Sequence, residues 1–523
     1  MASVTMRASA RTGRLAMVPL LRPGLKTSTC VFGLSGSLAR INTRGLKTSR
    51  PRYSVAQPIS YEAPLISGHG LGRPQEQGSI SENTQPVAND SNGTFPSLTW
   101  SGKYIYQNSK DGLRTIGAGN VRDSCCCPLC RNPSSGQKTF STPDVPMSPR
   151  ILNVEANAEG GLKVSLDQDL VSSQHGQGHD VLLNGEYLAQ QNILQSEAHS
   201  SPPPLQPVYW DRKFIEKNAR FIDYDEFMQE DSAAFWDVME DLEVLGLVYL
   251  RNVPRDDQSV VRIGEHIGNL RETFYGRTFD VRAKPNAENV AYTNEYLGLH
   301  QDLLYLDEQP HIQILHCMDN TAQGGESLFS DADRIGRMLY ALQSEFPPLA
   351  DLVDYKVRYA YDRNGYYYEN TRPLLEEQNV GEFRTVRWSP PFQGHQPSGW
   401  NMSDWLASAR VFERSVNAED AVYERKMAPG ECVLFNNLRV LHGRKSFDLG
   451  DGGKRWLRGT YLGRDVFASR LHYMPKDRLR RAERSVARTV HDLLNDLEGS
   501  PDFEGLRREL RDDPHIGMSR SSG

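Results

Sequence analysis

The seven residues Leu297–Leu303, Leu-Gly-Leu-His-Gln-Asp-Leu, decide the fold of the larger part of this chain. Residues two apart on a strand point to the same face, so His300 and Asp302 can ligate one metal ion together. A lone His-x-Asp pair is weak evidence, because most such pairs lie on protein surfaces by chance. The pair becomes specific evidence for a metal site only where another part of the chain supplies a further ligand.

A second histidine and an arginine follow downstream. His442 comes after an apolar strand in LFNNLRVLHGRKSF, at a turn where its side chain can face a cavity, and Arg455 begins another strand. Iron(II) that binds O₂ and a keto acid needs open positions, which two imidazoles and one carboxylate on one face leave free. Because a guanidinium binds both oxygens of a carboxylate, this set predicts an iron oxygenase with a dicarboxylate co-substrate.

A cysteine cluster lies far from these residues in sequence. Four of the seven cysteines fall within Cys125–Cys130, namely Cys125, Cys126, Cys127 and Cys130. Such close spacing favours a metal site over a disulfide framework. The alternative interpretation is a thiol-rich loop that binds no metal.

The N-terminus differs in composition from the rest of the chain. Residues 1–61 contain no Asp or Glu and ten basic residues, together with many Ser and Thr. This composition predicts a mitochondrial transit peptide over residues 1–54 and localisation in the matrix. Residues 55–96 are rich in Gly, Ser, Pro, Asn and Gln and predict a disordered linker.

Two domains are expected after the linker. Residues 97–195 form a small domain with the cysteine cluster, and a Pro/Ser-rich hinge leads to residues 205–475. There, two helical patterns precede many short strand-like segments, which predicts a β-barrel or double-sheet jelly roll. Residues 476–523 are highly charged and predict a helical tail.

Charge and hydropathy limit the function classes. The formal net charge of −6 at pH 7 gives no reason to expect nucleic-acid binding. The sequence also has no apolar run of about 18 residues, so we expect no membrane span.

At this point the chain resembles the γ-butyrobetaine dioxygenase and trimethyllysine dioxygenase family, within the TauD/TfdA-type oxygenases. The resemblance covers residues 100–475, and six motifs occur in the family's order and spacing. These motifs are RDSCCCPLC, FYGRTFDV, NVAYTNEYLGLHQDL, ILHCMDNTAQGGESLFSD, LFNNLRVLHGRKSF and RWLRGTYLGRD.

The resemblance implies a fold and a set of cofactors. The fold is mainly β with flanking helices, a double-stranded β-helix (jelly roll) catalytic domain plus a small N-terminal zinc-binding α+β domain. The cofactors are iron(II), 2-oxoglutarate, ascorbate and a structural zinc(II), and the assembly is a homodimer. His300, Asp302 and His442 match the iron positions, and Arg455 matches the position that binds 2-oxoglutarate.

The zinc ligands are likewise carried over from the family. Cys125, Cys127 and Cys130 match the zinc cysteines, and His179 matches the zinc histidine. Cys126 is an additional cysteine within the cluster, and His175 is a rival for the fourth ligand. Three thiolates and one imidazole complete a tetrahedron, so this zinc is expected to be structural.

The resemblance also implies a substrate pocket. Family members hold a trimethylammonium group in an aromatic cage, because a quaternary ammonium binds ring faces rather than hydrogen-bond acceptors. The matching positions are Tyr275, Phe279, Tyr292 and Tyr461, with Phe279 where the family usually has Trp. Asn289 matches a residue that holds the substrate carboxylate in the γ-butyrobetaine branch.

One segment departs from the family pattern. The family has a polar, Asn-rich stretch that contacts the substrate carboxylate, whereas this chain has VRWSPPFQG at residues 386–394. The expected reaction is the hydroxylation of γ-butyrobetaine by O₂ to L-carnitine. The alternatives are N6-trimethyllysine or another small molecule of the same branch, and a non-catalytic, zinc-stabilised mitochondrial scaffold.

Overall fold

The computed structural model describes most of the chain beyond the N-terminal region. The described residues are 84–90, 95, 97–109, 112–171, 179–190, 205–282, 293–396, 402–450, 452–475, 478 and 501–517. The chain divides into two units, Met1–Ser79 and Ile80–Gly523, and every described residue belongs to the second. The predicted transit peptide and most of the predicted linker therefore lie outside the described residues. None of the described helices combines the length and apolar character that crossing a bilayer requires.

The N-terminal domain contains two small antiparallel sheets around an apolar core that includes Trp100, Ile105, Val154 and Val164. Its elements are β1 (Gln85–Pro86), β2 (Leu98–Trp100), β3 (Tyr104–Ser109), β4 (Gly112–Gly117), α1 (Ala118–Asp123), β5 (Ile151–Ala156), β6 (Leu162–Leu166), β7 (Asp180–Leu183) and α2 (Gly185–Gln190), with a 3-10 turn at Thr142–Asp144.

Ordered structure begins earlier than the sequence predicts. Residues 85–86 fall in the stretch expected to be a disordered linker, yet they pair with β2. The indole nitrogen of Trp100 donates a hydrogen bond to the Pro86 carbonyl at 3.2 Å. The sequence did not predict this pairing, because the stretch is polar and lacks an apolar pattern. A two-residue strand is held by hydrogen bonds between backbone groups.

A six-stranded sheet forms one wall of the catalytic domain, in the order β10-β23-β12-β20-β9-β8. Along β12, Ile312 and Ile314 pack outward against helices, while Gln313 and Leu315 face the interior. The strands are β8 (Phe221–Asp223), β9 (Leu247–Arg251), β10 (Phe279–Arg282), β12 (Ile312–Asn320), β20 (Cys432–Asn436) and β23 (Arg455–Leu462).

A four-stranded sheet forms the opposite wall, in the order β11-β21-β14-β19. Its strands are β11 (Leu297–His300), β14 (Ser327–Asp331), β19 (Tyr423–Arg425) and β21 (Val440–Arg444). Phe329 and Val440 from this sheet share one buried cluster with Leu315, Val433 and Leu457 from the larger sheet. Apart from the parallel pair β8 and β9, the strands of both sheets are antiparallel. Two such sheets that enclose a common interior give the jelly roll that the sequence predicted.

Helices and hairpins surround the two sheets. The hairpins pair β13 (Gln323–Gly324) with β22 (Phe447–Asp448), β15 (Lys356–Arg363) with β16 (Tyr366–Pro373), and β17 (Leu375–Asn379) with β18 (Glu382–Val386). The helices are α3 (Arg212–Asn218), α4 (Tyr224–Phe227), α5 (Ala233–Val244), α6 (Ser259–Ile267), α7 (Ala332–Ala341), α8 (Asp351–Asp354), α9 (Met402–Val416), α10 (Arg464–His472) and α11 (Pro501–Asp512), with 3-10 turns at Leu342–Ser344, Pro347–Ala350 and Pro390–Phe392.

Candidate active site

The two histidines and the aspartate of the proposed triad converge. His300 is the last residue of β11 and pairs directly with His442 in the middle of β21. His300 Nε2 lies 3.4 Å from Asp302 Oδ1, and His442 Nε2 lies 3.8 Å from Asp302 Oδ2. Ligand atoms about 2.1 Å from one metal lie about 3 Å apart when they meet at right angles. This spacing therefore accommodates a single ion bound by all three side chains.

Asp302 reaches the site by a different route from the one expected. The strand ends at His300, so the idea that both residues share one strand face is wrong. Gln301 is fully buried, donates from Nε2 to the Leu438 carbonyl at 2.8 Å and accepts from the Trp388 amide at 3.1 Å. These bonds fix a bend after the strand, and the bend carries the Asp302 carboxylate back toward the two imidazoles.

The electrostatic state of these groups suits a metal. Burial opposes ionisation of Asp302, but hydrogen bonds from His300 and Tyr461, together with the electrostatic influence of the neighbouring His442, hold its pKa well below the usual range. Burial, with the neighbouring His300, lowers the pKa of His442 to about 3. A carboxylate beside a neutral imidazole is the donor chemistry of a facial iron(II) site.

Arg455 lies in the same cavity, as the first residue of β23. Its Nε donates to the Gly325 carbonyl at 3.3 Å. Gly325 has φ +73°, and a Cβ there would lie 3.0 Å from Arg455 Nε, so glycine leaves the space for the guanidinium. Burial and the charge of Arg444 lower the pKa of Arg455 to about 9, which a bound carboxylate would counteract.

Arg444 is a second cavity arginine, which the sequence interpretation missed. It donates to the carbonyls of Thr293 and Glu295 at 2.9 and 2.8 Å. Its guanidinium carbon lies 4.9 Å from the centre of the Phe447 ring, and that of Arg455 lies 5.4 Å from the same ring. Its position two residues after His442 on one strand face was the signal that could have identified it.

Three predicted cage residues line the cavity together with the triad: Tyr275, Phe279 and Tyr461. Phe279 and Tyr461 stack with ring centroids 4.9 Å apart, and Tyr275 lies 6.3 Å from Phe279. Phe279 has room because its partner across the sheet is Gly459, where a side chain would collide with the ring. Tyr292 and Asn289 lie outside the described residues, so their roles remain predictions.

The unusual proline segment contributes an apolar wall. Pro390–Phe392 forms a 3-10 turn, and the Phe392 ring meets Tyr305 edge-on at 5.3 Å. Tyr305 stacks on Tyr361 at 5.4 Å. Apart from the two histidines, the charged groups among the described lining residues are Asp302, Arg444 and Arg455.

The predicted zinc ligands also converge, in the N-terminal domain. The Sγ atoms of Cys125, Cys127 and Cys130 lie 3.4, 3.6 and 3.4 Å from His179 Nε2. In tetrahedral zinc sites with Zn–S of about 2.3 Å and Zn–N of about 2.0 Å, sulfur and nitrogen are separated by about 3.6 Å. Cys126 is not part of this group, and His175 lies outside the described residues.

Comparisons with known proteins agree with this geometry. Residues 205–461 match the family "Taurine catabolism dioxygenase TauD, TfdA family". Dioxygenase str8 of Strobilurus tenacellus is 32% identical, covering 72% of this chain and 91% of the relative. γ-Butyrobetaine dioxygenase of Pseudomonas sp. (strain AK-1) is 29% identical, covering 67% and 88%. Trimethyllysine dioxygenase of Neurospora crassa is 25% identical, covering 67% and 78%. The chain therefore belongs to the TauD/TfdA family of iron(II)- and 2-oxoglutarate-dependent dioxygenases.

Proposed function

We propose that this protein hydroxylates a small substrate with a trimethylammonium group, with γ-butyrobetaine, converted to L-carnitine, as the first candidate and N6-trimethyllysine as the alternative. The proposal rests on one cavity that brings Tyr275, Phe279 and Tyr461 together with the triad. Ring faces attract a quaternary ammonium, which cannot donate a hydrogen bond. Relatives named for γ-butyrobetaine and for trimethyllysine support the same substrate class.

The roles of the chain's own residues follow from their positions. His300, Asp302 and His442 would hold iron(II), and Arg455 would bind the distal carboxylate of 2-oxoglutarate. When bound, these groups supply the oxidant for an unactivated C–H bond, and substrate, 2-oxoglutarate and O₂ become hydroxylated product, succinate and CO₂. The apolar walls exclude water and direct one carbon of the substrate toward the metal.

A second candidate is an uncharged, apolar substrate. The Phe279 and Tyr461 rings stack on each other, so each occupies one face of its neighbour. Phe392 lies in the segment where the family pattern implies polar contacts, and its ring packs edge-on against Tyr305. Both observations favour a substrate that is held by shape and apolar contact rather than by charge.

A substrate panel separates the two candidates. Succinate formation would be measured with iron-loaded protein and 2-oxoglutarate, adding γ-butyrobetaine, N6-trimethyllysine or 5,5-dimethylhexanoate. The last compound is the carbon analogue of γ-butyrobetaine, in which a neutral tert-butyl group replaces the trimethylammonium group and the carboxylate is kept. Because cation–π attraction contributes about 1–2 kcal/mol, the carbon analogue should have a kcat/KM lower by about tenfold. Equal or better turnover of the carbon analogue favours the second candidate. If no compound stimulates succinate formation, the trimethylammonium proposal fails.

The proposal extends to the rest of the protein. The sulfur–nitrogen spacing around His179 supports a structural zinc(II) site in the N-terminal domain. The acid-free, basic N-terminus supports import into the mitochondrial matrix. The resemblance to the γ-butyrobetaine branch supports ascorbate dependence and a homodimer.

A further inference from the structure

The turn that joins β20 to β21 holds the backbone of Asp302. Asn437 is the first residue of this turn and is fully buried, and His442 follows on β21. Asn437 Oδ1 accepts a hydrogen bond from the Asp302 amide at 2.9 Å, and its Nδ2 donates to the Asp302 carbonyl at 3.2 Å. One side chain therefore pairs with both backbone groups of an iron-ligand candidate.

These two hydrogen bonds determine the direction of the Asp302 side chain. The amide belongs to the peptide group before the Asp302 Cα, and the carbonyl belongs to the peptide group after it. Because each residue has only two soft backbone torsions, fixing both flanking peptide planes fixes the direction of the Cα–Cβ bond. Since β11 ends at His300, a side chain rather than strand pairing holds Asp302 in this way.

The bend after Asp302 needs such support. Leu303 has φ +63°, in the left-handed region that L side chains rarely adopt. It is 2% exposed and its side chain lines the cavity, so a glycine would relax the backbone but leave a gap in the wall. A strained residue persists only where its surroundings hold the backbone in place. The carbonyl that Asn437 holds belongs to the peptide group directly before Leu303.

The other polar groups of Asn437 are also hydrogen-bonded. Its Nδ2 donates to the Pro310 carbonyl at 3.1 Å, its backbone amide donates to the His311 carbonyl at 2.7 Å, and its carbonyl accepts from Gln309 Nε2 at 3.2 Å. Two carbonyls face Nδ2 and one amide faces Oδ1, so exchanging the two atoms would bring like groups together. The side chain is therefore held in one orientation and gives Asp302 a rigid support.

We propose that Asn437 is a positioning residue for the iron(II) site, which holds the Asp302 carboxylate in the direction that iron ligation requires. This inference rests on the proposed role of the triad. Asn437 acts on the backbone, whereas the Tyr461 hydroxyl contacts the carboxylate itself, so the two constraints differ. Ligands that are held in place before the metal binds lower the ordering cost of binding.

The test is Asn437→Ala, with iron(II) affinity as the readout. The dissociation constant, measured by anaerobic titration of the full-length protein, should rise about tenfold or more, because groups that orient metal ligands have effects of this size. His442→Ala removes a proposed ligand and defines the signal that belongs to the site. If Asn437→Ala does not fold, Asn437→Ser takes its place, and the same rise is expected.

Asn320→Ala is the matched control for lost stability. Asn320 is also buried, and its Nδ2 donates to the Met427 carbonyl at 2.8 Å, at the end of β12. Both substitutions leave buried backbone groups without partners and should lower the melting temperature. Bound iron(II) raises the melting temperature according to its affinity, so this rise should shrink in Asn437→Ala. It should persist in Asn320→Ala, whose dissociation constant for iron(II) should stay within about twofold of the wild-type value.

Three results would overturn the inference. An unchanged dissociation constant in Asn437→Ala, with the full rise in melting temperature on iron binding, would show a merely structural amide. An equal loss of affinity in Asn320→Ala would attribute the effect to general destabilisation. Both results concern Asn437 alone. If the wild-type protein binds no iron(II) that depends on His442, the proposed function fails, and the positioning role fails with it.

Discussion

At the scale of single residues, Tyr461 connects the substrate wall to the metal site. Its ring stacks on Phe279, and its hydroxyl donates to Asp302 Oδ2 at 2.7 Å. A hydrogen bond to a ligand carboxylate fixes which oxygen faces the metal, and such contacts tune metal affinity. Tyr461 is therefore a positioning residue for Asp302 as well as a wall of the cavity.

Tyr461→Phe should separate these two roles. The variant keeps the ring and the stack but loses the hydroxyl, so the iron(II) dissociation constant should rise about tenfold, while the KM for γ-butyrobetaine changes little. An anaerobic iron titration measures the first quantity and succinate formation at saturating iron the second. Tyr359→Phe is the control, because that hydroxyl donates to the Arg387 carbonyl, away from the triad, and iron affinity should be retained. Unchanged iron affinity in Tyr461→Phe would remove the positioning role.

The sequence could identify those residues whose side chains are typical metal ligands. His300, Asp302 and His442 were predicted from spacing and ligand chemistry, and the structure brings their side chains together. Arg444 was missed, because an arginine in a strand is usually exposed. Its position two residues after His442 on one strand indicates the same face, but its burial in the barrel interior follows from the strand register.

At the scale of elements, the zinc-ligand candidates join two distant parts of the N-terminal domain. Three cysteines follow α1, whereas His179 lies directly before β7. The Leu182 amide of β7 donates to Cys125 Sγ at 3.4 Å, so strand and loop are also linked by a hydrogen bond. A metal at this position would hold the sheet of β5–β7 against the cysteine loop.

His179→Ala should release the zinc and leave the iron bound. The substitution removes one of four ligands from a closed site without touching the catalytic domain, and metal analysis of the purified protein checks both ions. His395→Ala, at an exposed position, should retain both metals. Full zinc content in His179→Ala would instead assign the fourth ligand to His175 or Cys126.

For the C-terminal helix, the sequence predicted the helix but not its packing against the catalytic domain. Residues 476–523 were predicted to be a charged helical tail, and α11 does lie there. It also buries Phe503, Leu506 and Leu510 in the core of the catalytic domain. These residues recur every three or four positions, which is the pattern of a packed helix face, and the sequence interpretation assigned no packing to them.

At the scale of the whole molecule, the jelly roll was predictable from the sequence, but the pairing register of its strands was not. Short alternating strands and the order of the motifs indicated two sheets around a common interior. The pairing of His300 with His442 joins strands that are far apart in sequence, and no local pattern specifies such a contact. The same limit applies to Phe279 opposite Gly459, a pairing that shapes the aromatic wall.

The most direct test is an anaerobic titration of the iron(II)-loaded protein with 2-oxoglutarate, following the visible absorption of the iron–keto-acid chelate. The central claim is that the triad holds the iron while Arg455 binds the distal carboxylate. It predicts a saturable band with one equivalent of 2-oxoglutarate in the wild-type protein. In Arg455→Met the affinity should fall by about tenfold or more, because a charge-assisted bidentate contact is lost. Absence of the band in the wild-type protein, or equal affinity in Arg455→Met, would contradict the claim.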